Sequence, residues 1–154
     1  MKKYISLFIL FVFPLSFAQV NFDEYFLNKS LRIDYYHFGN AENDFYAMDE
    51  LIEEPYWGGS KKNLLDIFNY GDYIIKVFDS ESNELIFSKT YTTLFSEWQT
   101  VDEAKNTTKG FNEAVVIPYP KKEVRIEFYS RDKKNNPVKK FEYEIDSANY
   151  FIKK

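Results

Sequence analysis

The chain contains no cysteine. That excludes disulfides, a cysteine nucleophile, thiolate-bound metal and the lipid-modified cysteine of a lipoprotein. It contains one histidine, His37. Zinc sites draw on several protein ligands, so a single imidazole is a poor start for one. A catalytic base needs a nucleophile and an orienting partner, and the sequence places neither beside His37. His37 reads as a partly exposed histidine near a strand end. Glycine and proline number five each, too few for a low-complexity or disordered chain. No basic run is long enough to track nucleic acid. Lys121-Lys122 and Lys133-Lys134 read instead as charges at hairpin ends. The sequence implies no cofactor.

What is present is apolar and aromatic. Hydrophobic residues make up 45% and charged residues 29% of the 154 residues, and aromatics reach 20%. That length suggests one domain, and without disulfides its core must hold it together. Residues 1–18 read as a secretory signal peptide. Lys2 and Lys3 form its positive start, Tyr4 to Phe17 is an uncharged apolar run, and Ser16-Phe17-Ala18 puts small residues where the peptidase inspects. The run is shorter than the roughly 20 residues a membrane-spanning helix needs. Cleavage after Ala18 is expected, leaving Gln19 first. The mature chain is expected in the periplasm or outside the cell, and not in a membrane. Net charge is -4. Lys2 and Lys3 lie in the leader, so the mature part is more acidic still.

From Gln19 onward the pattern has period two. Tyr73, Ile75 and Val77 share one strand face, and Leu85, Phe87 and Tyr91 share another, with Lys89 as an exception. The polar residues between them mark a hairpin turn, and a lone hairpin needs further strands against its apolar face. Leu31, Ile33 and Tyr35 alternate with Arg32, Asp34 and Tyr36. Residues 41–69 read as a long connection, within which 48–54 is a strand or one helical turn, with the strand preferred. Thr100 and Glu103 match a capping box that opens a short helix over 101–105. Residues 111–117 form a strand closed by Pro118-Tyr119-Pro120. Val124, Ile126 and Phe128, then Phe141, Tyr143 and Ile145, form a second hairpin. The expected fold is all-β, an antiparallel β-sandwich of about seven strands with one short helix. Residues 19–146 make the domain, and 147–154 read as a tail or linker.

Four aromatics fall beside turns or a helix start: Tyr56, Trp57, Trp98 and Tyr119. They are candidates for a docking or ligand surface, because aromatics dominate interaction hot spots. The alternative is packing beneath long loops. Carboxylates cluster at Asp49-Glu50, Glu53-Glu54, and Glu81 with Glu84. No spacing there matches a calcium loop, and they read as solvated charge. No catalytic or metal-binding residue is assigned.

Several stretches carry a family likeness when taken in order. They are Leu31-Arg32-Ile33-Asp34-Tyr35, Asp49-Glu50-Leu51, Trp57-Gly58-Gly59-Ser60, Asn69-Tyr70-Gly71-Asp72-Tyr73, Leu94-Phe95-Ser96-Glu97-Trp98-Gln99-Thr100, Phe111-Asn112-Glu113 and Pro118-Tyr119-Pro120-Lys121. Together they resemble the N-terminal domain of the bacterial IgA-peptidase family of zinc metallopeptidases, metallopeptidase family sixty-four, over residues 22–146. The resemblance implies a non-catalytic β-sandwich placed before a zinc peptidase domain. It also implies that such a domain, in cis or in trans, is the partner. The peptidase part would carry an H-E-x-x-H helix. With one histidine, this chain has no positions that match it. The expected role is therefore interdomain docking or substrate presentation. The rival is a secreted carbohydrate-binding module that uses exposed aromatics on a glycan.

Overall fold

The computed structural model describes residues 19–154; the leader read in residues 1–18 lies outside them. The strands are β1 (Phe26–Gly39), β2 (Asp44–Glu54), β3 (Tyr73–Asp79), β4 (Leu85–Tyr91), β5 (Lys109–Pro120), β6 (Val124–Arg131) and β7 (Pro137–Ile145). They form a three-stranded sheet in the order β2-β1-β5 and a four-stranded sheet in the order β4-β3-β6-β7. All strand pairs are antiparallel. The fold is an all-β sandwich, as the alternating pattern predicts.

Inward faces of the two sheets supply the core. Leu31, Ile33 and Tyr35 of β1 meet Ile75 and Val77 of β3 and Ile126 and Phe128 of β6 in one buried cluster. The rings of Tyr35 and Phe128 lie 5.0 Å apart across it. A smaller cluster of Tyr73, Phe95, Trp98 and Ala104 caps one pole.

Bulges explain where simple alternation fails. Asp49 is unpaired between Glu50 and Met48, so β2 changes parity partway along. Ile86 is unpaired between Leu85 and Phe87, which lets Ile86 and Phe87 both turn inward. Lys140 is unpaired between Phe141 and Lys139 of β7. A bulge adds one residue to one strand and re-aims its side chain.

Other elements differ from expectation. β2 begins at Asp44, within the stretch read as a connection. The capping box at Thr100 does not form. The Thr100 hydroxyl donates back to the Glu97 carbonyl at 2.7 Å, and the Glu103 carboxylate accepts the Trp98 indole N–H at 2.9 Å. The short helix expected over 101–105 is a 3-10 turn, Asp102–Lys105, and an unexpected α-helix, α2 (Leu94–Gln99), precedes it. A helical turn, α1 (Phe22–Tyr25), precedes β1, capped by the Asn21 side chain. The residues read as a tail fold back onto the first sheet. Ile52 and Lys153 form a parallel bridge, and Ile152 is buried.

Candidate functional site

β1 turns alternate side chains inward, and His37 is next on that face after Tyr35. It is not the partly exposed strand-end residue the sequence suggested: its exposure is 0%. Its ring stacks on Tyr46 at 4.2 Å between centroids and lies 4.0 Å from Phe95, while Tyr73 meets it edge-on at 4.8 Å. Both ring nitrogens face carboxylates. Nδ1 lies 3.1 Å from Glu113 Oε2, and Nε2 lies 3.4 Å from Asp44 Oδ2. An ionised carboxylate only accepts. Both contacts are hydrogen bonds only if both nitrogens carry protons, so the geometry calls for an imidazolium.

Local backbone features deliver each partner. Gly39 has φ +155, and a Cβ there would lie 2.0 Å from the Asn43 carbonyl oxygen. Only glycine allows the tight β1–β2 turn that sets Asp44 beside Gly39. Asn40 fixes that turn by accepting the N–H groups of Glu42 and Asn43, each at 2.9 Å. Lys140 is the bulged residue of β7, and its Nζ reaches Asp44 Oδ1 at 2.7 Å. Ser130 of β6 gives its hydroxyl proton to Asp44 and so accepts from the Tyr46 hydroxyl at 3.1 Å. Glu113 accepts from the Tyr35 hydroxyl at 3.1 Å and from the Phe95 backbone N–H at 3.2 Å. The latter bond caps α2, whose own N-cap residue, Thr93, makes no side-chain cap bond.

Two cations and two anions therefore meet at this pole. Burial opposes charge on His37, but its bonds to Asp44 and Glu113 outweigh burial and hold its pKa above the ordinary value. Burial likewise pushes the Asp44 pKa up, yet bonds from His37, Lys140 and Ser130 bring it down to about 2. Glu113 is lowered against its own desolvation, chiefly by His37. Two basic side chains, His37 and Lys140, are thus set against two carboxylates, Asp44 and Glu113.

Chemically this is a fastening rather than a nucleophile with its base. The Ser130 hydroxyl meets the Asp44 carboxylate and not the imidazole, and a carboxylate lowered to about 2 is too weak a base to activate it. The two carboxylates sit against opposite nitrogens of the ring, which keeps them from sharing an ion. Among the described residues, no group of three or more such side chains has the arrangement to hold a metal. A cleft of about 660 Å³ opens over Asp44 and Ser130, walled by Tyr73, Gln99, Arg131 and Lys140.

The four turn aromatics do not share one surface. Tyr56 is exposed, at 77%. Trp57 is half-buried, packed on the main core and set edge-on to Phe87 at 5.8 Å. Trp98 is 8% exposed and belongs to the polar cap with Phe95. Tyr119 is 6% exposed in the main core, and its hydroxyl donates to the Ser147 carbonyl at 3.0 Å. A neighbouring glycine or proline shapes the backbone and leaves the direction of the ring open. The sequence reading named none of Asp44, Glu113, Ser130 and Lys140 as site residues. For Glu113 a signal existed, because it shares inward parity with Val115 and Ile117, as His37 does with Tyr35.

Comparison with known proteins places these features in a family. No curated protein matches the chain by sequence. A family model described as Peptidase M64 N-terminus matches residues 21–142, which takes in both sheets almost completely. What matches is the N-terminal domain and not the catalytic domain of those peptidases. The chain belongs to the Peptidase M64 N-terminus family.

Proposed function

We infer that the protein is an exported, non-catalytic accessory domain of a zinc metallopeptidase, which docks on the peptidase domain or presents substrate to it. The family match carries this reading, since the matched region is the front domain of a peptidase. The site geometry supports it. The sole histidine is sealed in the core with both nitrogens committed, and so is withheld from substrate. The peptidase domain stands in the same polypeptide or in a separate chain, and the location is periplasmic or extracellular.

The test pairs the purified chain with an M64 peptidase domain. Titration calorimetry should show a complex, and the chain alone should cleave neither casein nor immunoglobulin in the presence of zinc. Chelator-sensitive cleavage by the pure chain overturns the non-catalytic part, and absence of a complex overturns the docking part.

One observation favours glycan binding as a second reading. On the outer face of the three-stranded sheet, Tyr36, Phe38 and Phe45 are exposed, and Phe38 and Phe45 stack at 5.7 Å. On the other sheet's outer face, Lys76 covers Tyr129 and Arg125 covers Phe78. Bare rings on a flat sheet suit pyranose faces. A glycan array decides this reading, with Phe45→Ala as its control.

A further inference from the structure

A strand at a sheet edge leaves a row of backbone N–H and C=O groups unpaired, and proteins guard such rows against other chains. The edges here are β2, β5, β4 and β7. On β4 the long loop between β2 and β3 takes up the row. Its Leu64 carbonyl accepts the Ser88 N–H at 2.9 Å, and its Asp66 carboxylate accepts the Thr90 N–H at 3.0 Å. On β2, Lys153 bonds to the Leu51 carbonyl and the Glu53 N–H, and the strand is bulged at Asp49 and carries Glu50, Glu53 and Glu54. β7 opens on Pro137, is bulged at Lys140 and carries Lys139, Glu142 and Glu144.

β5 lacks such a guard. It borders β1 on one side only. The Lys121 N–H donates to the Tyr25 carbonyl at 2.8 Å, one step beyond the pair Phe26 and Pro120, and this sets the phase of the strand. Odd residues turn their backbone groups to β1, and even residues turn theirs to the open side. Pro118 and Pro120 agree, since both are even and the ladder with β1 needs no N–H from them. The open row is therefore Gly110, Asn112, Ala114 and Val116. Among the described residues, none of its N–H or C=O groups has a partner. The register shift between β1 and β5 puts the extra residues on β1, so β5 itself is not bulged. The one charge over 110–117 is Glu113, and it is turned inward to His37.

The layer beneath is open as well. β2 lies over β7, with Tyr46 stacked on Phe141 at 6.5 Å. Three strands counted from that side against four leave β4 without a strand above it. Lys89 shows the gap. It pairs with Ile75 and shares its inward face, yet Ile75 is buried and Lys89 is exposed.

We propose that the β5 edge takes up an extended segment of a partner polypeptide as a fourth strand of the first sheet. A peptide backbone is the ligand whose donors and acceptors repeat at the spacing of this row. Recognition is by backbone, so the segment needs free N–H groups along one edge and no proline within it. A second copy of this chain fits less well. Joined through β5, each copy would push its β4 and the loop beyond it into the layer that the other copy's second sheet fills. The proposal holds whether or not the partner is a peptidase domain.

The test uses the purified chain and a fluorescein-labelled peptide of alternating threonine and valine, N-methylated on every second residue. That methylation leaves one edge able to pair and stops the peptide from building sheets of its own. Its twin is N-methylated on every residue, with the same side chains and no N–H donor. By anisotropy the first peptide should bind, and the twin should bind about tenfold more weakly, having lost every donor. At saturation, hydrogen exchange should slow about tenfold at the Asn112, Ala114 and Val116 amides. The Val115 amide, already turned to β1, should not change. No binding at millimolar peptide overturns the proposal. So does equal binding of the twins, or protection that falls on β4 or β7 in place of β5. A dimer by ultracentrifugation, with the same amides already protected, makes a second copy the occupant and overturns it too.

Discussion

Replacing His37 by leucine tests the buried charge cluster most directly. Leucine removes the cation that Asp44 and Glu113 share, and leaves Lys140 to balance two buried carboxylates. Removing one partner of a buried ion pair costs about 3–5 kcal/mol, because the other charge stays desolvated and uncompensated. Against a total stability of roughly 5–15 kcal/mol, that moves the protein toward the edge of folding. The pH dependence carries a sharper sign. In the wild type the His37 pKa is raised above its ordinary 6.5. Its contribution is therefore full below pH 6.5 and is lost as pH rises through the folded-state value. Asp44 and Glu113 are lowered from 3.8 and 4.5. Their contributions are full above those values and are lost as pH falls, for Asp44 through about 2.

The wild type should thus be most stable between about pH 4.5 and 6.5, falling on both sides. In His37→Leu, burial of the carboxylates is opposed by fewer bonds, and their pKa values rise. Acidification then protonates them and relieves the variant. Urea midpoints from pH 4 to 9 should show the gap between wild type and variant narrowing as acid protonates the variant's carboxylates and also as pH rises past the His37 titration. An NMR titration of the imidazole gives that second point independently. A gap under about 1 kcal/mol at pH 6 would refute the argument, since a removed buried charge cannot cost so little. So would a His37 titration at or below 6.5.

Three further outcomes follow from burial and contact. Trp98→Ala should cost about 3–5 kcal/mol by chemical denaturation, whereas Tyr56→Ala should stay within about 0.5 kcal/mol. Ile152→Ala should cost about 2 kcal/mol and speed hydrogen exchange at the Glu53 N–H, which donates to Lys153 at 2.7 Å. Asp44→Leu alone should destabilise strongly. Pairing it with Lys140→Met should recover about 0.5–3 kcal/mol in a double-mutant cycle, because the pair then leaves together and His37 keeps Glu113.

The strands were legible because alternation is a backbone property. Where side chains simply alternate, as in Leu31 to Tyr35 or Val124 to Phe128, parity predicts the inward face. The same parity carries on to His37, and charge at that position is what hid its burial. β2 was obscured for two reasons. It opens on a buried aspartate, and it changes parity at Asp49. Lys140 was beyond reach, because the bulge that aims it at Asp44 depends on the register of β6 and β7. Trp98 and Tyr119 were placed beside turns correctly, but their rings follow the nearest available core. For Trp98 that core is built by Phe95 and Phe111, which come from separate elements.

The two sheets are hydrogen-bonded within themselves, so their mutual position rests on side chains. Apolar contacts such as Tyr35 with Phe128 hold the sheets together without fixing direction. Directional bonds fix it at one pole. His37, Asp44 and Glu113 come from the three-stranded sheet, and Ser130 and Lys140 from the four-stranded one. Glu113 extends the same network to α2 through the Phe95 N–H. At the edge of the second sheet, Asp66 does the corresponding work by tying the long loop to Thr90 and Ser88. In both places a carboxylate with a lowered pKa gathers several donors and immobilises a segment that the backbone ladders leave free.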